Sequence, residues 1–182
     1  MALDGNSIEV IDNFLSEEDF KQVTNIINND MFPWYFNGAV ADVQDTDNFY
    51  FTHIFYKDSK VESPNFNNAL MPLLKKLPHG NLYRAKANLF VRQDKQIING
   101  KHVDLMDAPP NFQTAVYYVN SNNGGTLLGD ELIQSKANRI LIMKENLEHA
   151  SVGPTDEKRR IVININYILN DLAAPTGTTV LE

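Results

Sequence analysis

The sequence predicts a mostly β fold with helices (α+β): a two-sheet jelly roll with its N-terminal helices packed on one sheet. Three observations lead there. Two stretches with helical spacing of apolar residues lie in the first half of the chain. Short strand-like runs separated by turn residues fill the second half. The 10 Phe and 7 Tyr supply aromatic bulk for a sandwich core or for a pocket between sheets.

Length and composition narrow the class. A chain of 182 residues suits one domain, taken as 1–180, with Leu181-Glu182 read as a cloning remnant. The net charge of -7 argues against broad nucleic-acid binding. The absence of Cys excludes disulfides, thiolate catalysis and Cys-type zinc sites, and makes the cytoplasm the simplest location. No apolar run approaches the ~18 residues of a membrane span, and the amino terminus lacks a signal peptide's regions, so no membrane partner is expected.

Ile8 to Ile11 alternates weakly and reads as a strand. Ser16 is a helix N-cap with Asp19 at the third helical position, and Leu15 and Phe20 are spaced as a hydrophobic staple. Phe20, Val23, Ile26 and Ile27 form one stripe, which predicts a helix over about 17 to 29 that covers a sheet. Phe32 to Phe36 is aromatic and extended. The acidic stretch from Gly38 to Asn48, with Asp42, Asp45 and Asp47, reads as a solvated loop, and a lid is the alternative. Phe49 to Tyr56 is a strand carrying His53, which is assigned a structural or substrate-side place rather than a metal.

A second helix starts at Ser63-Pro64, and Pro72 either kinks it or opens its second half. Pro78-His79-Gly80 ends it, with His79 solvated. Leu82 to Arg92 is a strand whose Tyr83, Ala85, Ala87, Leu89 and Val91 share one side. Further strands are expected at about 113 to 120, 125 to 128, 131 to 135, 138 to 143 and 160 to 168. Asn120 to Gly125 is a clear turn, in which Gly124 and Gly125 let the next strand enter. The end of the chain, from Thr176, reads as a loose tail.

The chemistry concentrates between Lys101 and Tyr167. His102 and Asp104 are two residues apart, which puts them on one face of an extended segment. His149 follows much later, in a turn after a strand. Each alone fits a surface residue as well as a ligand. Together they make the two-imidazole, one-carboxylate donor set that suits Fe(II) and leaves coordination positions open. Arg159 and Arg160 then begin an alternating strand and must face opposite ways. Arg160 shares its side with Val162, Asn164 and Asn166, whereas Arg159 shares its side with Ile161, Ile163, Ile165 and Tyr167. The side with two Asn suits a polar cavity, so parity favours Arg160 as the inward cation.

This order of motifs resembles the 2-oxoglutarate- and Fe(II)-dependent dioxygenases, in particular their prolyl 4-hydroxylase-like branch. The small bacteriophage-type members look most similar, through the Tyr118-Val119-Asn120-x-Asn122-Asn123-Gly124 turn and the Arg160-x-Val162-x-Asn164-x-Asn166-Tyr167 ending. The shared motifs run over roughly 82 to 168. The resemblance implies a double-stranded β-helix (cupin-like), with His102, Asp104 and His149 as iron ligands and catalytic centre. It implies that Arg160 binds the distal carboxylate of 2-oxoglutarate, with Tyr118 as a hydroxyl donor to it; a core aromatic is the other reading of Tyr118, and Tyr117 faces the core. Asn88, Leu127 and Thr114 are further candidates for the cosubstrate pocket. The implied reaction consumes O2 and 2-oxoglutarate, with ascorbate as a possible accessory, and hydroxylates a prolyl or other residue of a peptide or protein. A free small molecule as substrate, or a non-catalytic cupin-like metal protein, are the rival readings.

Overall fold

The computed structural model describes residues 8–38, 48–78, 80–144 and 146–169. The acidic stretch with Asp42, Asp45 and Asp47, the lid it was weighed as, His79 and the C-terminal tail lie outside the described residues.

Strand β1 (Ile8–Ile11) leads into α1 (Glu17–Ile27), then β2 (Tyr35–Asn37), β3 (Tyr50–Lys57) and β4 (Lys60–Val61). A π-helical stretch (Phe66–Leu70) runs directly into α2 (Met71–Leu74). The remaining strands are β5 (Asn81–Val91), β6 (Phe112–Tyr118), β7 (Gly125–Leu128), β8 (Glu131–Gln134), β9 (Arg139–Met143), β10 (Ala150–Val152) and β11 (Arg159–Ile168). The large sheet has the order β1-β9-β6-β11-β5-β3-β2, with β4 on β3, and the small sheet the order β10-β7-β8. Every pairing is antiparallel. This is the antiparallel jelly-roll arrangement that the sequence predicts.

The caps explain where the helices start. Ser16 Oγ accepts from the Asp19 backbone N–H at 3.1 Å and donates to the Asp19 carboxylate at 2.7 Å, so the acidic capping box forms through its side chains. Helix α1 stops at Ile27, short of the expected 29, because Asn28 closes its last turn onto the Ile26 and Thr24 carbonyls. Pro72 falls in the first turn of α2, where no backbone donor is needed, and opens the second half of the interrupted helix.

Each face of the large sheet has its own apolar core, and the face between the sheets also carries polar side chains. Val23, Ile27, Leu70, Leu73 and Leu74 of the helices cover Ala85, Ala87, Ile161, Ile163 and Ile165. Tyr117 joins this side and donates to Asn138 Oδ1 at 3.0 Å. The second core lies between the sheets and contains Tyr50, Phe90, Val116, Tyr118, Leu128, Ile133 and Val162. Arg159 is exposed on the helix side and donates to Asn28 Oδ1 at 3.0 Å. Arg160 is buried between the sheets. Strand parity thus separates the two arginines as expected.

Two local readings differ from the sequence. Tyr83 does not continue the Ala85–Ala87–Leu89 face. The register against β11 slips between Asn166 and Tyr167, whose partners are Arg84 and Leu82, so Tyr83 is the extra residue of a bulge and is 41% exposed. The segment after His149 is strand β10 rather than open turn. At three residues it is too short for alternation to reveal, and it exists because β7 offers it an edge. That edge depends on glycine: a Cβ on Gly125 would meet the Ile133 carbonyl, and one on Gly124 the Val152 carbonyl.

Candidate metal centre

His102 and Asp104 lie on the segment that follows β5, and His149 immediately precedes β10. An isolated antiparallel bridge joins His102 to His149, and a second joins Ile98 to Val152. These bridges bring the His-x-Asp segment alongside the small sheet. The two imidazoles stand with ring centroids 4.6 Å apart. One donor atom from each of His102, Asp104 and His149 lies within 4.8 Å of the others.

Hydrogen bonds orient each donor. His102 Nδ1 lies 3.2 Å from the Gly100 carbonyl, and His149 Nδ1 lies 2.9 Å from the Leu147 carbonyl. A carbonyl only accepts, so each Nδ1 carries the proton and each Nε2 keeps its lone pair for a metal. Burial, and then the neighbouring His149, push His102 below its usual pKa, which favours the neutral ring that a metal requires. His149 Nε2 lies 3.9 Å from Asp104 Oδ2.

Asp104 is held by four side chains. Oδ1 accepts from Arg84 Nη2 at 3.0 Å, and Oδ2 accepts from Thr114 Oγ1 at 2.9 Å and from Asn166 and Asn164 Nδ2 at 3.0 and 3.4 Å. Burial alone would raise this carboxyl. The His149 and Arg84 charges and the Thr114 and Asn166 hydrogen bonds outweigh it and hold Asp104 below the ordinary carboxylate range. The donor set therefore fits a divalent metal: two imidazoles whose Nδ1 atoms face carbonyls and whose Nε2 atoms are left to ligate, and one carboxylate kept ionised.

The cluster opens into a cavity of about 340 Å³ between the sheets. Its far wall is Arg160. The guanidinium lies over the rings of Phe90 and Tyr118, and donates to Ser135 Oγ at 2.9 Å and Thr126 Oγ1 at 3.3 Å. Its Nη1 is buried and has no hydrogen-bond partner. Burial lowers its pKa to about 10, so it remains a cation at neutral pH. A buried cationic N–H without an acceptor is costly, and a ligand carboxylate in the cavity would supply the acceptor.

Solved structures share this architecture. A 2OG-Fe(II) oxygenase family oxidoreductase from Burkholderia pseudomallei matches with a TM-score of 0.65 at 10% identity, over 91% of this chain and 87% of that one. The Trichoplax adhaerens prolyl hydroxylase, in complex with a hypoxia inducible factor oxygen degradation domain peptide fragment, matches with 0.61 at 11% identity, over 91% and 84%. The fold is that of the 2-oxoglutarate- and Fe(II)-dependent oxygenases. The epimerase SnoN in complex with Fe3+, alpha ketoglutarate and nogalamycin RO carries it too, with a TM-score of 0.59 at 12% identity, over 97% of this chain and 89% of that one. No protein-family model matches the chain, and no curated protein matches it.

Within the oxygenase fold the other expected residues take distinct places. Asn88 lines the cavity, but Leu127 does not; its neighbour Thr126 does, one step along β7 and on the other face. Thr114 lies behind Asp104 and orients it. Tyr118 is fully buried, and its hydroxyl donates to Thr126 Oγ1 at 2.8 Å, the same oxygen that accepts from Arg160. His53 is on the helix side of β3, away from the cluster, between Pro33 O at 2.9 Å and Ser63 Oγ at 2.7 Å. Sequence reasoning missed Arg84, Lys86 and Tyr50, all in the cavity wall. The signal was available in β5. If Ala85, Ala87 and Leu89 face the helices, then Arg84, Lys86 and Asn88 must face the other way.

Proposed function

We propose that this chain is a 2-oxoglutarate- and Fe(II)-dependent dioxygenase, with His102, Asp104 and His149 as metal ligands and Arg160 as the anchor for the distal carboxylate of 2-oxoglutarate. The observation that carries this reading is the unpartnered Nη1 of Arg160, buried in the cavity that the His-Asp-His cluster shares. A bare metal clip needs no such anion receptor, which argues against a non-catalytic cupin-like protein. The chemistry that Fe(II), 2-oxoglutarate and O2 would supply here is oxidative decarboxylation to succinate and CO2, coupled to hydroxylation of a C–H bond.

The chain's own groups do the rest. Arg160 offers a charge-assisted hydrogen bond to the distal carboxylate. Thr126 and Ser135 fix the guanidinium, and Tyr118 donates to the same Thr126 oxygen and so helps to fix it. Arg84, Thr114 and Asn166 hold the Asp104 carboxylate in orientation, as outer partners of metal ligands do. Phe90, Val116 and Val162 give the cavity an apolar lining beside Arg160.

The substrate we assign is a prolyl or other residue in a peptide or protein, supported by the prolyl hydroxylase likeness and by the motif resemblance. A free small molecule is the second reading, supported by a fold likeness of similar degree to SnoN with nogalamycin RO. The deciding experiment is anaerobic titration with Fe(II) and 2-oxoglutarate, followed by succinate assay in air. A metal-to-ligand charge-transfer band and succinate formation are expected. Absence of the band in the intact chain would overturn the assignment, and product analysis on proline-containing peptides separates the two substrate readings.

A further inference from the structure

The cavity wall holds three cations, Arg84, Lys86 and Arg160, against one carboxylate, Asp104. That excess stands out in a chain whose net charge is -7. Arg84 is matched by Asp104 at 3.0 Å. Under the proposed function Arg160 is matched by the distal carboxylate of 2-oxoglutarate. The cosubstrate's other carboxylate would lie at the metal, so neither of its carboxylates is left for the remaining cation. Among the described residues, Lys86 is left over.

Its surroundings are those of a receptor rather than a structural ion pair. On β5, Lys86 stands opposite Asn164 of β11 and Ile54 of β3, facing the cavity. Among the described residues its ammonium has no carboxylate partner; it donates to the Tyr50 hydroxyl at 3.4 Å and lies over that ring. Burial, and then the Arg84 charge, lower its pKa to about 8 against the pull of Asp104, which leaves it cationic at neutral pH. Tyr50 Oη also accepts from Asn37 Nδ2 at 3.0 Å. A phenol oxygen that accepts from both Lys86 and Asn37 has its own O–H to give, and the cavity is the space in front of it. Tyr50 is fixed by its stack on Phe90, with centroids 5.5 Å apart.

The place differs from that of Arg160. Arg160 is opposite Phe90, four residues along β5 from Lys86. At roughly 3.3 Å per residue their backbone positions are separated by about 13 Å along the sheet. Lys86 therefore sits level with the metal cluster, on the side towards β3 and β2, and Arg160 at the far end.

We infer that Lys86 and Tyr50 form a second anion site that binds a carboxylate of the primary substrate, so that this oxygenase acts on an acid: a free acid, or a peptide with an acidic group near the carbon to be hydroxylated. The inference rests on the proposed function, and deepens it by naming the substrate class. No step of the reaction is assigned to Lys86; it is a residue that selects and positions.

The test uses the full chain loaded with Mn(II) and the unreactive analogue N-oxalylglycine, which keeps the cosubstrate place filled. Calorimetry then follows binding of proline, aspartate and glutamate against their carboxamides, and of short blocked peptides carrying Asp or Glu against the same peptides carrying Asn or Gln. At least one acid is expected to bind at least tenfold tighter than its neutral partner. The free-acid and peptide arms show which source supplies the carboxylate. Lys86→Met should abolish the discrimination, and Tyr50→Phe should reduce it about threefold or more. Both variants should keep the 2-oxoglutarate affinity of the parent within about threefold, read from the anaerobic charge-transfer band. No acid preferred over its neutral partner, or a tenfold loss of 2-oxoglutarate affinity in Lys86→Met, would overturn the inference. Failure of the parent chain to give the band at all would instead overturn the oxygenase reading, so the two failures are distinguishable.

Discussion

The backbones of His102 and His149 hydrogen-bond to each other in both directions, each N–H to the other's carbonyl at 2.9 Å. In such a pair the two side chains leave the same face of the ladder, roughly 5.5 Å apart at the Cα atoms. The imidazoles are therefore set side by side by the main chain, before any metal arrives.

The first prediction follows from that independence. His102→Ala, Asp104→Ala or His149→Ala should each abolish Fe(II) binding, read by anaerobic titration, while circular dichroism stays close to that of the parent. The two hydrophobic cores contain none of the three residues, so the fold does not require them. Iron bound at parental affinity by any one of these variants would remove that residue from the ligand set.

Arg160 and Arg159 should differ sharply. Loss of a charge-assisted bond to a buried carboxylate costs about 2–4 kcal/mol, or roughly 30- to 1,000-fold in affinity. Arg160→Ala should raise the 2-oxoglutarate constant at least tenfold. Arg159→Ala removes an exposed cation bonded to Asn28 and should leave that constant nearly unchanged. Arg160→Lys should recover part of the loss, since it keeps the charge without the planar fork. The reverse pattern would show that the cosubstrate is anchored elsewhere.

Arg84 reaches the metal through Asp104. It donates to Asp104 Oδ1 at 3.0 Å and, through Nε, to Asn166 Oδ1 at 3.0 Å. Outer partners of metal ligands are typically worth 10- to 100-fold in metal affinity. Arg84→Met should weaken Mn(II) binding by about that factor. An unchanged constant would mean that Thr114 and Asn166 orient Asp104 without help.

His53 should give the chain an acid sensitivity unrelated to the metal. Burial holds its pKa below the usual value, opposed by the hydrogen bond to the Pro33 carbonyl. The unfolded chain then binds a proton that the folded chain refuses, so stability falls as pH drops below about 6.5 and continues to fall until the lowered folded value is passed. Between pH 7.5 and 5.5 the melting temperature should fall more in the parent than in His53→Gln, with both chains metal-loaded. Equal falls would assign the sensitivity to other groups.

Much of this arrangement was legible in residue order. Alternation along Arg160 to Tyr167 separated the cavity face of β11 from its helix face, because the two faces differ in polarity. The same logic was available for β5 but was obscured there by Tyr83, which looks like the next apolar residue of the Ala85–Ala87 face and is instead a bulge. Thr126 was missed in favour of Leu127 because β7 is only four residues long, and its register is set by its neighbours. The pairing of Arg84 with Asp104 was not legible at all. It joins residues on two segments whose separation is fixed only by the packed sheets.

The ladder that sets His102 beside His149 closes a long loop, since β6, β7, β8 and β9 all lie between the two in chain order. Closing such a loop costs entropy that only the finished sheets can repay. A nascent chain presents His102 and Asp104 early, yet has no complete centre until His149 has been synthesised and β7 has accepted β10 as its neighbour. Iron capture would then be among the last events of maturation, which protects the half-made chain from holding a redox metal before its cavity is walled.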